Sequence, residues 1–314
     1  MANYPIAAGQ PDWVAAGLVK EVWSNDMTRT YYADTVIPQI TNIKGQGEIK
    51  GGGADTVHFP VMPVIDITLN MGDAESINYQ ELSPSVVDLV INKSATWAYK
   101  TGNILAYQSY IKWMAATVPH ATREASIAIE RLDFFKNIYS SAHADNIGTT
   151  AGAISGTFNM GVSGTPRQLT ASNAIQIITD AGSVLDEQNV GQEEGQRYIV
   201  IPTWVANKIK NSEIREVYKT GDSKSPMRTG LIGMIDRFHV YQSNNIEMVA
   251  DSSGVNAYNI IFGHKEAVCF ATQFTDTRLN FELEGSFQHA SRGRQWYGYK
   301  AINPKGLGHL YVKA

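Results

Sequence analysis

A glycine cluster, Gly45, Gly47 and Gly51 to Gly53, introduces a long stretch whose side chains alternate between apolar and polar. Glycine's backbone freedom makes regular structure costly there, so the cluster reads as a hinge. Beyond it, Val57, Phe59 and Val61, then Ile65, Ile67 and Leu69, alternate with Thr56, His58, Asp66 and Thr68, which is the period of a strand. Pro60 and Pro63 exclude a central strand, because proline cannot donate to a ladder. Asn70 to Ser76, containing Gly72-Asp73, is the expected turn; Val87, Leu89 and Ile91 then alternate again, with Trp97 and Tyr99 in phase. The spacing predicts a long hairpin arm over residues 45–103. Two strands alone are marginal in water, since each keeps an unpaired edge and too little apolar area is covered. The arm needs a second surface, supplied by the same chain or by a neighbour; periodicity leaves both open.

The remaining segments are ordinary by comparison. Asp12 caps an expected helix to about Ala33 that carries Trp13, Ala16, Trp23 and Met27. Thr117, with Pro119 in the first turn, begins a long helix to about His143 with Ala121, Ala125, Ala128, Leu132, Phe135 and Tyr139 on one face and Arg123, Glu130 and Asn137 on the other. Asn146 to Pro166 is rich in Gly, Ser and Thr and reads as a surface loop. A helix over Ser172–Gln188, a short apolar strand over Tyr198–Ile201 and a stop at Pro202 follow, the start of an α/β unit. Near the C-terminus Thr277, Leu279, Phe281 and Leu283 alternate with Asp276, Arg278, Asn280, Glu282 and Glu284, leaving one strand face wet or against a polar partner.

A chain of 314 residues suits one large domain or two modest ones. Its net charge of -4 gives no global basic field for gripping nucleic acid. Cys269 is the only cysteine, which rules out an internal disulfide or a multi-thiolate site and fits a reducing compartment. Met1 to Gln10 lacks a basic segment leading into an apolar run, and no uninterrupted apolar run is long enough to span a membrane, so neither export nor membrane insertion is expected. Catalysis needs titratable groups brought together. The histidines, His58, His120, His143, His239, His264, His289 and His309, are scattered without metal-sharing spacing. Gly221-Asp222-Ser223 lacks a nucleophile elbow, and Gly45-Gln46-Gly47 with Gly51 misses the dinucleotide fingerprint by one residue. Glu193 and Glu194 read as a solvated turn, Glu282 and Glu284 as a polar sheet face, and Cys269, between Val268 and Phe270, as a buried apolar residue. No catalytic, cofactor-binding or metal-binding residue is assigned, and no cofactor is expected.

Several runs in the second half carry a family resemblance. They are Ile201-Pro202-Thr203-Trp204, Gly230-Leu231-Ile232-Gly233, Phe238-His239-Val240-Tyr241, Ser243-Asn244-Asn245, Gly263-His264-Lys265 with Ala267, Phe270 and Ala271, and Gln295-Trp296-Tyr297-Gly298-Tyr299-Lys300. In order and spacing they resemble the Hong Kong 97-type major capsid proteins of tailed bacteriophages, near the podophage coat proteins. Asp236-Arg237 departs from the glycine or asparagine expected before Phe238.

The resemblance implies an α+β fold: an N-terminal arm (1–44), an extended hairpin loop (45–103), a peripheral domain with a long spine helix (104–168), an axial α/β domain (169–262) and a return to the peripheral domain (263–314). It implies a structural subunit, not an enzyme, that joins itself in hexamers and pentamers and encloses double-stranded DNA without sequence-specific binding. The hairpin of one subunit would then lie over its neighbour. A separate scaffolding protein is expected, because the short N-terminus has no room for a fused one; portal and decoration proteins are further expected partners. Assembly in the host cytoplasm and residence in the virion follow from the same resemblance. An encapsulin-like bacterial nanocompartment is the rival of the same fold, distinguished by protein cargo, and a soluble hydrolase is the rival of another class.

Overall fold

The computed structural model describes residues 32–44, 47, 55–63, 65, 67, 69, 79–102, 113–191, 196–212 and 233–314. The expected helix from Asp12 as far as Tyr31, the glycine cluster apart from Gly47, the turn at 70–76, Glu193-Glu194, Gly221-Asp222-Ser223 and Gly230 to Ile232 lie outside the described residues.

In chain order the elements are a short helix α1 (Ile37–Ile40), strands β1 (Thr56–Val61), β2 (Ser85–Val90) and β3 (Lys93–Gly102), and helix α2 (Trp113–Ala128). The rod started by α2 continues through a π-helical segment (Ile129–Phe134), one α-turn (Phe135–Asn137) and a 3-10 turn (Ile138–Ser141). Then come β4 (Arg167–Gln168), α3 (Ala174–Glu187), β5 (Arg197–Ile201), α4 (Thr203–Lys210), β6 (Met234–Ile235), β7 (Phe238–Gln242), β8 (Met248–Ala250), β9 (Asn256–His264), β10 (Val268–Glu282), β11 (Gln288–Ala301) and β12 (Leu307–Lys313).

The larger sheet runs β4-β12-β9-β5-β7-β6, with β8 on β9. It is buried on both faces, which is why Arg197–Ile201 is buried throughout instead of alternating. Ile199 and Ile201 of β5, with Ile260, Phe262, Leu310 and Val312, face α3 and α4, whose Ile177, Ala181, Val184, Leu185 and Val205 complete one core. Tyr198, Val200 and Ile261 face the other way, onto Val36, Ile37, Ile40 and the rod residues Ile129, Phe134, Phe135 and Ile138. The expected helix over 172–188 and strand over 198–201 are found within a residue or two of their predicted ends.

Four expectations are corrected. The alternation carries the hairpin through Trp97 and Tyr99, but β3 joins a different sheet, of order β10-β11-β3, in which Tyr99 lies opposite Ser291. Among the described residues the hairpin pair is β1 with β2, with Thr56 opposite Val90 and Val61 opposite Ser85. A strand's period cannot say which strand it pairs with, so this was beyond the sequence. The final segment returns into the larger sheet, where β12 inserts between β4 and β9. The third correction places Pro119 inside α2 instead of in its first turn. The fourth concerns the rod's register. After Ala128 a regular α-helix brings Leu132 to the apolar face, whereas the wider π turn shifts that stripe to Ile129, Phe134, Phe135 and Ile138 and leaves Leu132 68% exposed. Glu130, expected on the polar face, is fully buried instead.

At Asp236-Arg237 the departure from glycine or asparagine is resolved geometrically. Ile235 pairs with Phe238 across a two-residue loop whose φ angles, 45° and 64°, are both left-handed, as a tight hairpin requires. An Nη2 of Arg237 reaches Asp186 at 2.7 Å, the carboxylate that also binds buried Arg197 at 2.7 Å. These bonds offset the steric cost of a side chain in that region.

Candidate assembly surface

The root of the hairpin is firmly seated. Val57, Leu89 and Ile91 pack with Cys269 and Ala271, flanked by Phe59, Trp296 and Ile302. Burial pushes the Cys269 thiol up to about 11, and its sulfur lies 3.0 Å from the Lys44 carbonyl, in keeping with an inert apolar cysteine. The β2 end crosses β11 so closely that a Cβ at Gly298 would stand 2.4 Å from the Val90 carbonyl oxygen and 3.1 Å from the Ile91 Cα. That contact explains the glycine in the Trp296-Tyr297-Gly298-Tyr299 run. Gly298→Ala is expected to lift the hairpin root and to cost about 1–3 kcal/mol, as overpacking does, measurable as a lower urea midpoint.

Two carboxylates of the π segment tie the rod to its surroundings. Glu130 accepts the Val36 and Ile37 amides at 2.7 and 3.3 Å, the Asn245 side-chain amide at 2.9 Å and the Ser243 hydroxyl at 3.3 Å. The Ser243-Asn244-Asn245 run therefore serves as a clasp holding residues 36–37 to the rod. Burial pushes the Glu130 carboxyl above its ordinary range, outweighing the donors that pull the other way. One turn on, Asp133 accepts Lys93 Nζ at 2.7 Å and the hydroxyls of Tyr297 and Tyr299 at 2.9 and 3.0 Å. Burial alone would raise its pKa, but those bonds together hold it below the ordinary value. Neither the burial of Glu130 nor the partial burial of Asp133 was legible from the sequence, since a charged residue on a helix reads as solvated unless its partners are known.

Past the seated root, the described apolar residues of this segment are exposed. Met62 is 89% exposed, Ile67 84%, Leu69 85% and Tyr79 93%, with Ile65 and Leu82 also exposed. Exposed large apolar side chains gathered on one segment mark a contact surface. The described histidines form no shared cluster: His58 pairs with Asp88 at 2.6 Å on the exposed hairpin, His120 meets Tyr32 at 2.7 Å, and half-buried His309, held by Asn259 at 2.9 Å, is pushed down to about 4 by desolvation. Among the described residues no group of three His, Cys, Asp or Glu side chains is placed to hold a metal ion. No helix of the described residues is long and apolar enough to cross a membrane.

The fold is similar to that of solved phage capsid structures. The chain is similar to the structure of Mycobacterium phage Che8, at 20% identity over 93% of this chain and 96% of that one, with a TM-score of 0.70. It is also similar to the capsid of cyanophage P-SCSP1u (10% identity, 98% and 99% covered, TM-score 0.68) and to that of cyanophage Pam1 (13% identity, 100% and 99% covered, TM-score 0.67). No family model and no curated protein matches the sequence.

Proposed function

We propose that the chain is the major capsid subunit of a tailed phage, a structural protein and not an enzyme. Copies join head to tail into hexamers and pentamers, the two rings together give the shell its curvature, and the icosahedral head encloses double-stranded DNA. Heterologous contacts of this kind close into rings when the rotation allows. The hairpin that β1 and β2 begin is the extended loop, the rod is the spine of the peripheral domain, and the larger sheet with α3 and α4 is the axial domain, to which β12 also belongs. A separate scaffolding protein, a portal and a decoration protein are the proposed partners, with assembly in the host cytoplasm and residence in the virion.

The observation that carries this reading is likeness along nearly the whole chain to two phage capsid structures, at TM-scores of 0.68 and 0.67. The uncovered apolar row on the hairpin supports it independently, because a self-sufficient monomer has no use for one. Negative-stain electron microscopy of the expressed chain with its scaffolding protein is expected to show closed shells tens of nanometres wide. A compact small oligomer as the sole species overturns the reading, and correctly sized shells from this chain alone overturn the scaffolding assignment.

A further inference from the structure

A cleft of about 980 Å³ opens between the rod and α4, lined from the rod by Arg131, Leu132 and Lys136 and from α4 by Trp204 and Lys210. The π turn shapes its rod wall. By widening the helix over Ile129–Phe134 it turns Leu132 out of the core, so that this leucine, 68% exposed, stands in the cleft between two exposed cations, Arg131 and Lys136. Single π turns within α-helices are rare and frequently sit at functional sites. Met248, 53% exposed, adds a second uncovered apolar side chain to the lining. Trp204 packs against Tyr258 with ring centroids 5.4 Å apart, and its indole Nε1 is buried with no hydrogen-bond partner among the described residues. The lining therefore holds a donor that the chain leaves unanswered.

The charge of the cleft runs against that of the whole chain. Three lining side chains are cationic, Arg131, Lys136 and Lys210, and one is acidic, Glu247, which Lys136 meets at 3.6 Å. Three cations less one acid leave a local surplus of +2 in a chain whose net charge is -4. No carboxylate among the described residues pairs with Arg131 or Lys210. An occupant must bring acidic groups to these cations and apolar groups to Leu132 and Met248. Nucleic acid supplies the charge but no aliphatic surface, and the aromatic pair is already stacked on itself. An acidic amphipathic helix supplies both, and two walls of the cleft are helices, against which a third packs at about 8–10 Å.

We infer that this cleft docks an acidic amphipathic helix of a second protein, with its carboxylates on Arg131 and Lys210 and its apolar face on Leu132 and Met248. The inference stands on the cleft and not on the capsid reading, so the absence of shells would sink that reading and leave this one in place.

The test titrates the purified full chain into a fluorescein-labelled peptide of about 18 residues that carries Glu along one helical face and Leu along the other, followed by anisotropy. Binding at about 10 μM or tighter is expected. Affinity is expected to fall at least about tenfold in Arg131→Glu with Lys210→Glu, and again in Leu132→Asp. None of the three residues belongs to the buried core, so these variants are expected to melt like the wild type. A lowered melt assigns the residue to the fold and overturns the inference. So does equal binding of a scrambled peptide of the same composition, which reduces the contact to charge alone. Tighter binding of an oligothymidylate overturns it by giving the cleft to nucleic acid. Absence of peptide binding overturns it as well, and self-association that the same substitutions abolish then gives the cleft to a second copy.

Discussion

Deleting Ile65 to Leu82 leaves a subunit that folds and melts like the full chain but forms no stable shells. Among the described residues this segment adds nothing to the core: Ile65, Ile67, Leu69, Tyr79 and Leu82 are exposed, and the buried hairpin residues Val57, Leu89 and Ile91 lie outside the deletion. Closure is also feasible. Val61 and Ser85 are cross-strand partners, and the residues left between them, 62–64 and 83–84, make a five-residue hairpin loop. What disappears is the surface for a neighbour. Burying Ile65, Ile67, Leu69, Tyr79 and Leu82 at about 1.5–3 kcal/mol each supplies roughly 7–15 kcal/mol per contact, of the same order as the cost of association. Each subunit loses that contribution, and multivalency multiplies the loss around the shell. Calorimetry of the subunit and electron microscopy of the product check both halves; normal particles sink the arm assignment.

The second large effect is at the clasp. Glu130→Ala removes the acceptor shared by Val36, Ile37, Ser243 and Asn245, and leaving two buried donors unpaired at about 1–3 kcal/mol each costs roughly 2–6 kcal/mol. The pH dependence distinguishes it from its neighbour Asp133. Glu130's folded pKa is raised, so its stabilising contribution is complete below the ordinary value of 4.5 and is lost as pH rises through the folded value. Asp133's folded pKa is lowered, so its contribution is present above 3.8 and is lost as pH falls through the folded value. In urea titrations Glu130→Gln is expected to flatten the decline toward neutral pH, and Asp133→Asn to flatten the decline in acid. Identical pH profiles for the two variants contradict the assignment.

The legible and illegible parts of this chain divide along physical lines. Tyr198 to Ile201 was readable as a strand and Ser172 to Gln188 as a helix because their patterns reflect a core immediately beside them. Gly298 was visible only as part of a resembling run; its reason, the Val90 carbonyl crossing at that point, lies more than two hundred residues away in sequence.

By itself the sequence determined the local elements and a hairpin with more apolar surface than it can cover, both of which follow from side-chain period and composition. Only the tertiary structure decided that β3 leaves the hairpin, that β12 closes the larger sheet, and that Glu130 is buried. Period fixes which way a side chain points along its own strand or helix, but partner choice and burial depend on which distant segments arrive there, and a single π turn is enough to exchange Leu132 for Phe134 at the core.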